Sequence, residues 1–290
     1  MLKIFYNFLI TLFYIPYIFL ILFRRFIKKE HEKKYKEKIF SSNFKRPEGF
    51  LFWFHVASIG EFKSILPVID FYLKQNTKNN FLITTVTLSS FKELEKKYGS
   101  NNRVYHQFLP YDFKFLINDF FKNWRPNIVS FVDSEIWPNF ILKIKEEKLP
   151  FILLNARITK KSFIRWNILG KLSNKIFESF SLCISSNKDT SDYLKILGAQ
   201  NIKFFGNIKF CSVLENKTEE SEQFKKISNK KIWCAVSTHA GEENFCGKVH
   251  NIIKKSEKKI VTIIIPRHIH RIEGIFSVLK DFGFNVQIKN

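Results

Sequence analysis

Cysteine is scarce, and its spacing forms no pair. Cys183, Cys211, Cys234 and Cys246 are the only four, and no C-x-x-C occurs, so neither a zinc site nor a disulfide framework is indicated. They fit a reducing compartment and the role of small core residues. Acidic residues are also few. Against 48 Lys and Arg stand 26 Asp and Glu, a formal net charge of +22, which calls for an anionic partner: nucleic acid, phospholipid or a phosphorylated substrate. Genomic base bias is an alternative source of the Lys, Asn, Ile and Phe richness and lowers the weight of charge alone. Nucleic acid is the poorest fit, because most basic residues are dispersed and no recognised nucleic-acid module is present.

Charge is missing altogether from Ile4 to Phe23, about twenty residues, the length a bilayer core requires. Asn7 and Pro16 interrupt the run, as single polar and Pro residues do in transmembrane helices. Arg24, Arg25, Lys28 and Lys29 follow, then Lys33, Lys34, Lys36 and Lys38, whereas only Lys3 precedes. This asymmetry predicts a single-pass N-terminal transmembrane helix with everything after Phe23 in the cytoplasm. The A-x-A-like cleavage site of a signal peptide is absent. A helix lying among the headgroups is the alternative.

What is present after residue 50 is a repeating pattern. Short β-branched or aromatic runs (Leu51–His55, Phe81–Thr85, Arg103–Phe108, Ile128–Val132, Phe151–Leu154, Leu182–Ser185, Ile202–Phe205) alternate with stretches of helical length (Phe62–Lys74, Ser90–Lys97, Phe113–Asn123, Ile136–Glu147). That alternation predicts an α/β fold with a parallel, doubly wound sheet. The strands end in polar clusters: Thr84, Thr85 and Thr87; Pro110 and Asp112; Asp133 and Glu135; Asn155 and Arg157; Ser185 and Ser186; Asn207 and Lys209. Parallel strands bring such ends to one edge, where ligands of open sheets bind. Singly, each residue is more often a cap or turn residue.

Residues 216–231 read as a charged linker. A second α/β pattern follows over 232–290, with strands Ile232–Val236, Ile260–Ile265 and Asn285–Ile288 and helices Glu242–Lys255 and Ile272–Asp281. That is about half of a doubly wound domain. The expected organisation is an anchor and basic flank over 1–30, a Rossmann-like domain over 31–215, the linker, and a partial second domain over 232–290.

The segment His55-Val56-Ala57-Ser58-Ile59-Gly60-Glu61 carries the most information. It delivers the Glu61 carboxylate to a helix start, where the dipole favours the ionised form that a general base needs. A first-turn glutamate that only complements the dipole is the structural alternative.

With His55–Glu61, Thr84–Thr87, Leu109–Asp112, Ser134–Asn139, Asn155–Ile158, Leu197–Ala199, Gly206–Phe210, Ser237–Glu243 and Pro266–Arg271 in this order, the chain resembles the 3-deoxy-D-manno-octulosonic acid (Kdo) transferases. These inner-membrane enzymes move Kdo from CMP-Kdo to a lipid A precursor. The resemblance implies a GT-B-like architecture with acceptor on the first domain and sugar nucleotide on the second. It implies Glu61 as the base, Glu135 and Lys209 as stabilisers of the transition state, and Pro266 and Arg267 as part of the CMP surface. It implies inversion at the anomeric carbon, no cofactor beyond the donor substrate CMP-Kdo, and as partners the lipid A precursor and anionic inner-membrane lipids. No metal is expected, since His268 and His270 lack a third ligand nearby. The chain departs from the family in being C-terminally shortened. A typical member continues past residue 290 through a Gly-rich loop and a G-H-N-x-x-E-like segment that complete the CMP site. Asp133-Ser134 stand where the family has Glu-Thr, and Ala240 and Ile269 where it has Pro. A membrane scaffold that binds the lipid A precursor without the donor is therefore the alternative to an enzyme.

Overall fold

The computed structural model describes residues 2–41, 44–75, 78–211 and 229–288. The chain divides into two compact units, Met1–Leu214 and Glu215–Asn290.

In the first unit, β1 (Phe50–Val56), β2 (Asn79–Thr85), β3 (Val104–Phe108), β4 (Ile128–Val132), β5 (Phe151–Ala156), β6 (Leu182–Ser185) and β7 (Ile202–Phe204) form one parallel sheet in the order β3-β2-β1-β4-β5-β6-β7. The strands are apolar on both faces because helices cover both, as parallel sheets require. Leu51 and Trp53 of β1 pack on one face with Ile117, Phe120, Phe140 and Ile176. Phe54 and Val56 pack on the other with Phe62, Ile65 and Leu94. The period-two alternation of a strand thus divides β1 between two cores. Between the strands run α3 (Ile59–Lys74), α4 (Leu88–Tyr98), α5 (Lys114–Trp124), α6 (Pro138–Glu146), α7 (Lys160–Ile168), α8 (Lys171–Phe177) and α9 (Lys188–Ile196). Ser58, Thr87, Thr159 and Asn187 accept the first-turn N–H bonds of α3, α4, α7 and α9, so several polar strand-end residues are caps. Helices α7, α8 and α9 were not among the expected elements. The α6 helix starts at Pro138 rather than Ile136, where Pro is favoured in the first turn. Glu135 is thereby left outside the helix.

The N-terminal run differs from the expected single transmembrane helix. It forms α1 (Leu2–Leu12) and α2 (Tyr14–Phe26). No single helix among the described residues is long and apolar enough to cross a membrane. The pair Ile4–Leu12 and Tyr14–Phe26, bent by 43°, meets that length and composition together. Pro16 accounts for the break. It has no N–H to give the Leu12 carbonyl, and its ring crowds that carbonyl. One face of the pair lies on the first unit: Tyr6 donates to Asp112, Tyr17 stacks on Tyr111, and Ile21 is buried with Tyr35 and Ile39.

The second unit pairs β8 (Lys231–Thr238) with β9 (Ile260–Pro266) in parallel and carries α10 (Glu242–Ser256) and α11 (Ile272–Asp281). Asn285–Ile288, expected as a third strand, is not one. Phe284 instead stacks on Phe282 and meets the edge of His250 on α10. Most of the expected linker, 216–228, lies outside the described residues.

Candidate functional site

The strand order reverses direction between β1 and β4, which are neighbours. In doubly wound sheets the ligand crevice opens outside the strand ends at that switch point. The segments leaving β1 and β4 there are 57–61 and 133–137, which carry Glu61 and Glu135.

Glu61 sits in the first turn of α3 in a capping box. Its N–H reaches Ser58 Oγ at 3.3 Å, while Oε1 accepts from the Ser58 hydroxyl at 2.9 Å and Oε2 from the Ala57 N–H at 2.7 Å. This is a variant of the S-x-x-E arrangement of helix starts, with the carboxylate reaching the N–H one residue before the cap, so the cap is a real part of its role. The dipole argument alone misjudges its protonation. Burial pushes the Glu61 carboxyl up, the Ala57 and Ser58 bonds pull it down, and the neighbouring Glu135 and Asp133 carboxylates push it up again, with a net rise above the usual value of 4.5. A raised carboxyl lies closer to working pH, where a general base is most efficient.

Glu135 behaves oppositely. Burial raises its carboxyl, but the hydrogen bond and charge of His55 and the Trp137 indole N–H outweigh this and hold it below the ordinary range. Both donors reach Oε2, His55 Nε2 at 3.2 Å and Trp137 Nε1 at 2.8 Å. Two carboxyls pushed apart in this way are suited to different tasks, one taking a proton and one staying anionic.

Lys209 arrives from the 3-10 turn Ile208–Cys211, which packs against α3. Its ammonium is 2.6 Å from Asp133 Oδ2. Asn155 ties Asp133 to the turn that carries Lys209, donating to Asp133 Oδ1 and accepting from the Ile208 N–H at 3.1 Å. Asp133 and Asn155 take left-handed φ angles of 58° and 54°, a conformation that Asn and Asp tolerate better than other non-glycine residues. The structure thus brings Glu61, Glu135 and Lys209 to one end of one sheet. It adds His55, Asp133, Asn155 and Trp137, whose roles no local motif reading assigns. Arg157 is exposed and joins no ion pair among the described residues.

Pro266 and Arg267 belong to the second unit. Pro266 ends β9, and the exposed Arg267 gives its N–H to the Thr238 carbonyl at 3.0 Å. The same unit has a cavity of about 370 Å³ lined in part by Gly241, Glu243, Asn244, His270 and Arg271, with neither Pro266 nor Arg267 in its lining. Ser237 and Thr238 do not cap α10. Thr238 instead donates to Glu243 at 2.8 Å, and Arg271 grips both Glu243 oxygens at 2.8 and 2.7 Å. The two sequence segments 237–243 and 266–271 therefore meet through an ion pair. The rings of His268 and His270 stack at 5.6 Å.

A parallel α/β sheet of GT-B-like kind, with carboxylates and a lysine at its switch point, is the fold class of this chain. Solved structures agree on the fold: a UDP-GlcNAc 2-epimerase from Neisseria meningitidis bound to UDP-GlcNAc has a TM-score of 0.57 at 13% identity over 80% of this chain and 68% of that one. A glycosyltransferase from Rickettsia africae has 0.55 at 13% over 84% and 68%. The family follows from sequence. The profile of the 3-deoxy-D-manno-octulosonic-acid transferase (kdotransferase) family matches residues 13–212, and the chain belongs to that family. A probable 3-deoxy-D-manno-octulosonic acid transferase, mitochondrial, from Arabidopsis thaliana is 32% identical over 92% of this chain and 61% of its own length. The 3-deoxy-D-manno-octulosonic acid transferase of Rickettsia bellii is 31% identical over 95% and 66%. The chain thus spans roughly 61–66% of the length of these relatives.

Proposed function

We propose that the chain carries the catalytic face of a Kdo transferase, moving Kdo from CMP-Kdo to a lipid A precursor in lipopolysaccharide core biosynthesis. The observation that carries this reading is the grouping of Glu61, Glu135 and the Lys209–Asp133 pair at the switch point of a chain of this family. In the transfer, the acceptor hydroxyl oxygen bonds to the anomeric carbon while that carbon's bond to the CMP phosphate oxygen breaks. Glu61 takes the hydroxyl proton, a step that contributes about 10²–10⁴ in rate. The phosphate leaves with the electron pair, and Lys209 offsets its charge. Glu135, anionic throughout, faces the oxocarbenium character that builds on the ring. One displacement inverts the anomeric centre. Pro266 and Arg267 border the CMP in the second unit. No cofactor beyond the donor takes part.

The same reading places the chain at the inner membrane through the outward apolar face of the bent N-terminal pair, with the remainder on the cytoplasmic side. Length, composition and the basic flank support it.

The test is transfer from CMP-Kdo to a lipid A precursor in detergent, followed by mass spectrometry of the lipid. The expected product carries added Kdo, and Glu61→Gln lowers its rate at least about a hundredfold. Precursor binding without CMP release would overturn the enzyme reading in favour of a scaffold.

A further inference from the structure

We propose that His55 is the positioning residue for Glu135: its imidazole, fixed by Thr84 of β2, holds the carboxylate in one orientation through an Nε2–H donor.

His55 is fully buried near the end of β1, a position where an imidazole is costly unless both ring nitrogens are partnered. Both are. Nδ1 lies 3.0 Å from Thr84 Oγ1 and 3.2 Å from the Thr84 carbonyl, and Nε2 lies 3.2 Å from Glu135 Oε2. A histidine that merely fills the core would satisfy itself on buried groups at both nitrogens. Here one nitrogen is tied to the sheet while the other reaches a carboxylate whose side chain is 18% exposed at the crevice.

The direction of the contact follows from the chemistry of the partners. An ionised carboxylate only accepts, so the nitrogen facing it carries the proton. Glu135 is held below the ordinary carboxylate range, which makes it the acceptor. On the far side Thr84 Oγ1 accepts the Trp53 indole N–H at 2.9 Å. Trp53 is fully buried and ringed by Phe120, Phe121, Phe131 and Phe140. The sequence Trp53, Thr84, His55, Glu135, Trp137 is therefore one hydrogen-bonded row. It begins in the packed core and ends at the carboxylate, with the Trp137 N–H closing it at 2.8 Å. Register explains how the row forms. His55 pairs with Phe131 across β1 and β4, and the chain leaving β4 returns Glu135 to the imidazole. The neighbouring Glu61 of α3, and Asp133 beside Glu61 in turn, are both anionic when ionised. Neither can supply the donor that His55 supplies.

What Glu135 does once positioned rests on the proposed transfer, but the positioning itself does not. The test uses the whole 290-residue chain, with ¹⁵N-histidine and ¹³C-glutamate labels, and no substrate. At neutral pH the His55 Nε2 signal is expected to be that of a protonated nitrogen. In His55→Phe the Glu135 titration is expected to move up. His55→Gln, whose amide N–H reaches about as far as Nε2, is expected to retain most of the wild-type value. An unprotonated Nε2 in the wild type, or an unchanged Glu135 titration in folded His55→Phe, would overturn the proposal. Should His55→Phe not fold, the wild-type ring measurement decides alone, because an unprotonated nitrogen cannot donate to a carboxylate. In a preparation that transfers Kdo, His55→Phe is also expected to lower kcat about 10–100-fold, the range of outer-shell partners, with rescue by His55→Gln.

Discussion

Lys209 Nζ and Asp133 Oδ2 are 2.6 Å apart, and Asn155 bonds both Asp133 and the backbone N–H of Ile208, the residue before Lys209. Asp133 follows β4 and Asn155 sits in β5, so the pair is anchored to the sheet rather than to a loop alone. Asp133→Asn keeps a side chain suited to the left-handed backbone at φ 58° and removes only the charge. It is expected to lower transfer while leaving thermal stability nearly unchanged. Asp133→Ala adds left-handed strain of about 1–2 kcal/mol and is expected to lower both. Lys209→Met should cost roughly 10²–10³ in turnover, the size of a lost charge-stabilising donor. Normal turnover in Asp133→Asn would reduce the pair to a structural contact.

Glu61 has two separable roles. As the partner of Ser58 in a capping box, it contributes on the order of 1 kcal/mol to the start of α3. As the base of the proposed transfer, its loss is expected to cost at least about a hundredfold in rate. Glu61→Gln keeps part of the cap and none of the basicity, so turnover should collapse with a small change in melting temperature. Its raised carboxyl also sets a pH limb. A base must be ionised, so kcat/KM should fall as pH drops through a value above 4.5. Glu135→Gln removes a neighbouring negative charge, and the Glu61 titration followed by NMR should then move down. An upward move would contradict this electrostatic account.

The sheet and its crevice were legible in the sequence because β-branched and aromatic runs ended in polar residues at helical spacing. Ile128–Val132 and Leu182–Ser185 are strands with the bounds read from that pattern. Helices α7 and α8, over 160–177, were not. Their sequences are rich in Lys, Ser and Asn, and the apolar residues of α7 are split, Phe163 and Trp166 packing on the core while Ile164 and Ile168 stay exposed, which blurs its stripe. The break at Phe13 was hidden for a different reason. Composition counts apolar residues, whereas Pro16 acts through one missing hydrogen bond four residues earlier. The roles of His55 and Asn155 depend on residues 80 and 53 positions away along the chain. Such pairings belong to register, which no local motif states.

Asp112 links three elements. It accepts from the Asn139 and Phe140 N–H groups at the start of α6, both at 3.0 Å, and from the Tyr6 hydroxyl of α1 at 2.6 Å. Burial raises its carboxyl to about 6, although these three donors pull it down. The folded chain therefore keeps the proton up to about 6, while the unfolded chain releases it near 3.8. The folded state binds more protons across that window, so the contribution of this group is full below 3.8 and is lost as pH rises through about 6. Thermal melts of the wild type against Asp112→Asn, which does not titrate, are expected to show the wild type losing relative stability over that window. A relative gain would mean that the three donors outweigh burial.

The outward face of the N-terminal pair exposes Phe8, Phe13, Phe19, Phe23 and Phe26, while the opposite face rests on the first unit through Tyr6, Tyr17 and Ile21. Arg24, Arg25, Lys28 and Lys29 follow directly. Two forces should therefore hold the chain at an anionic bilayer, and they separate by salt. Apolar insertion is insensitive to salt, and each fully buried aromatic contributes about 1.5–3 kcal/mol. The basic run contributes about 1 kcal/mol per cation near the surface and is screened within a Debye length. Replacing Phe8, Phe19 and Phe23 together by Ser is expected to weaken vesicle binding at least about a hundredfold at high salt, with a smaller loss at low salt. Deleting residues 1–23 should leave an association with anionic vesicles that raised salt releases. A deletion protein that stays in solution at low salt would show that the basic flank does not bind the membrane by itself.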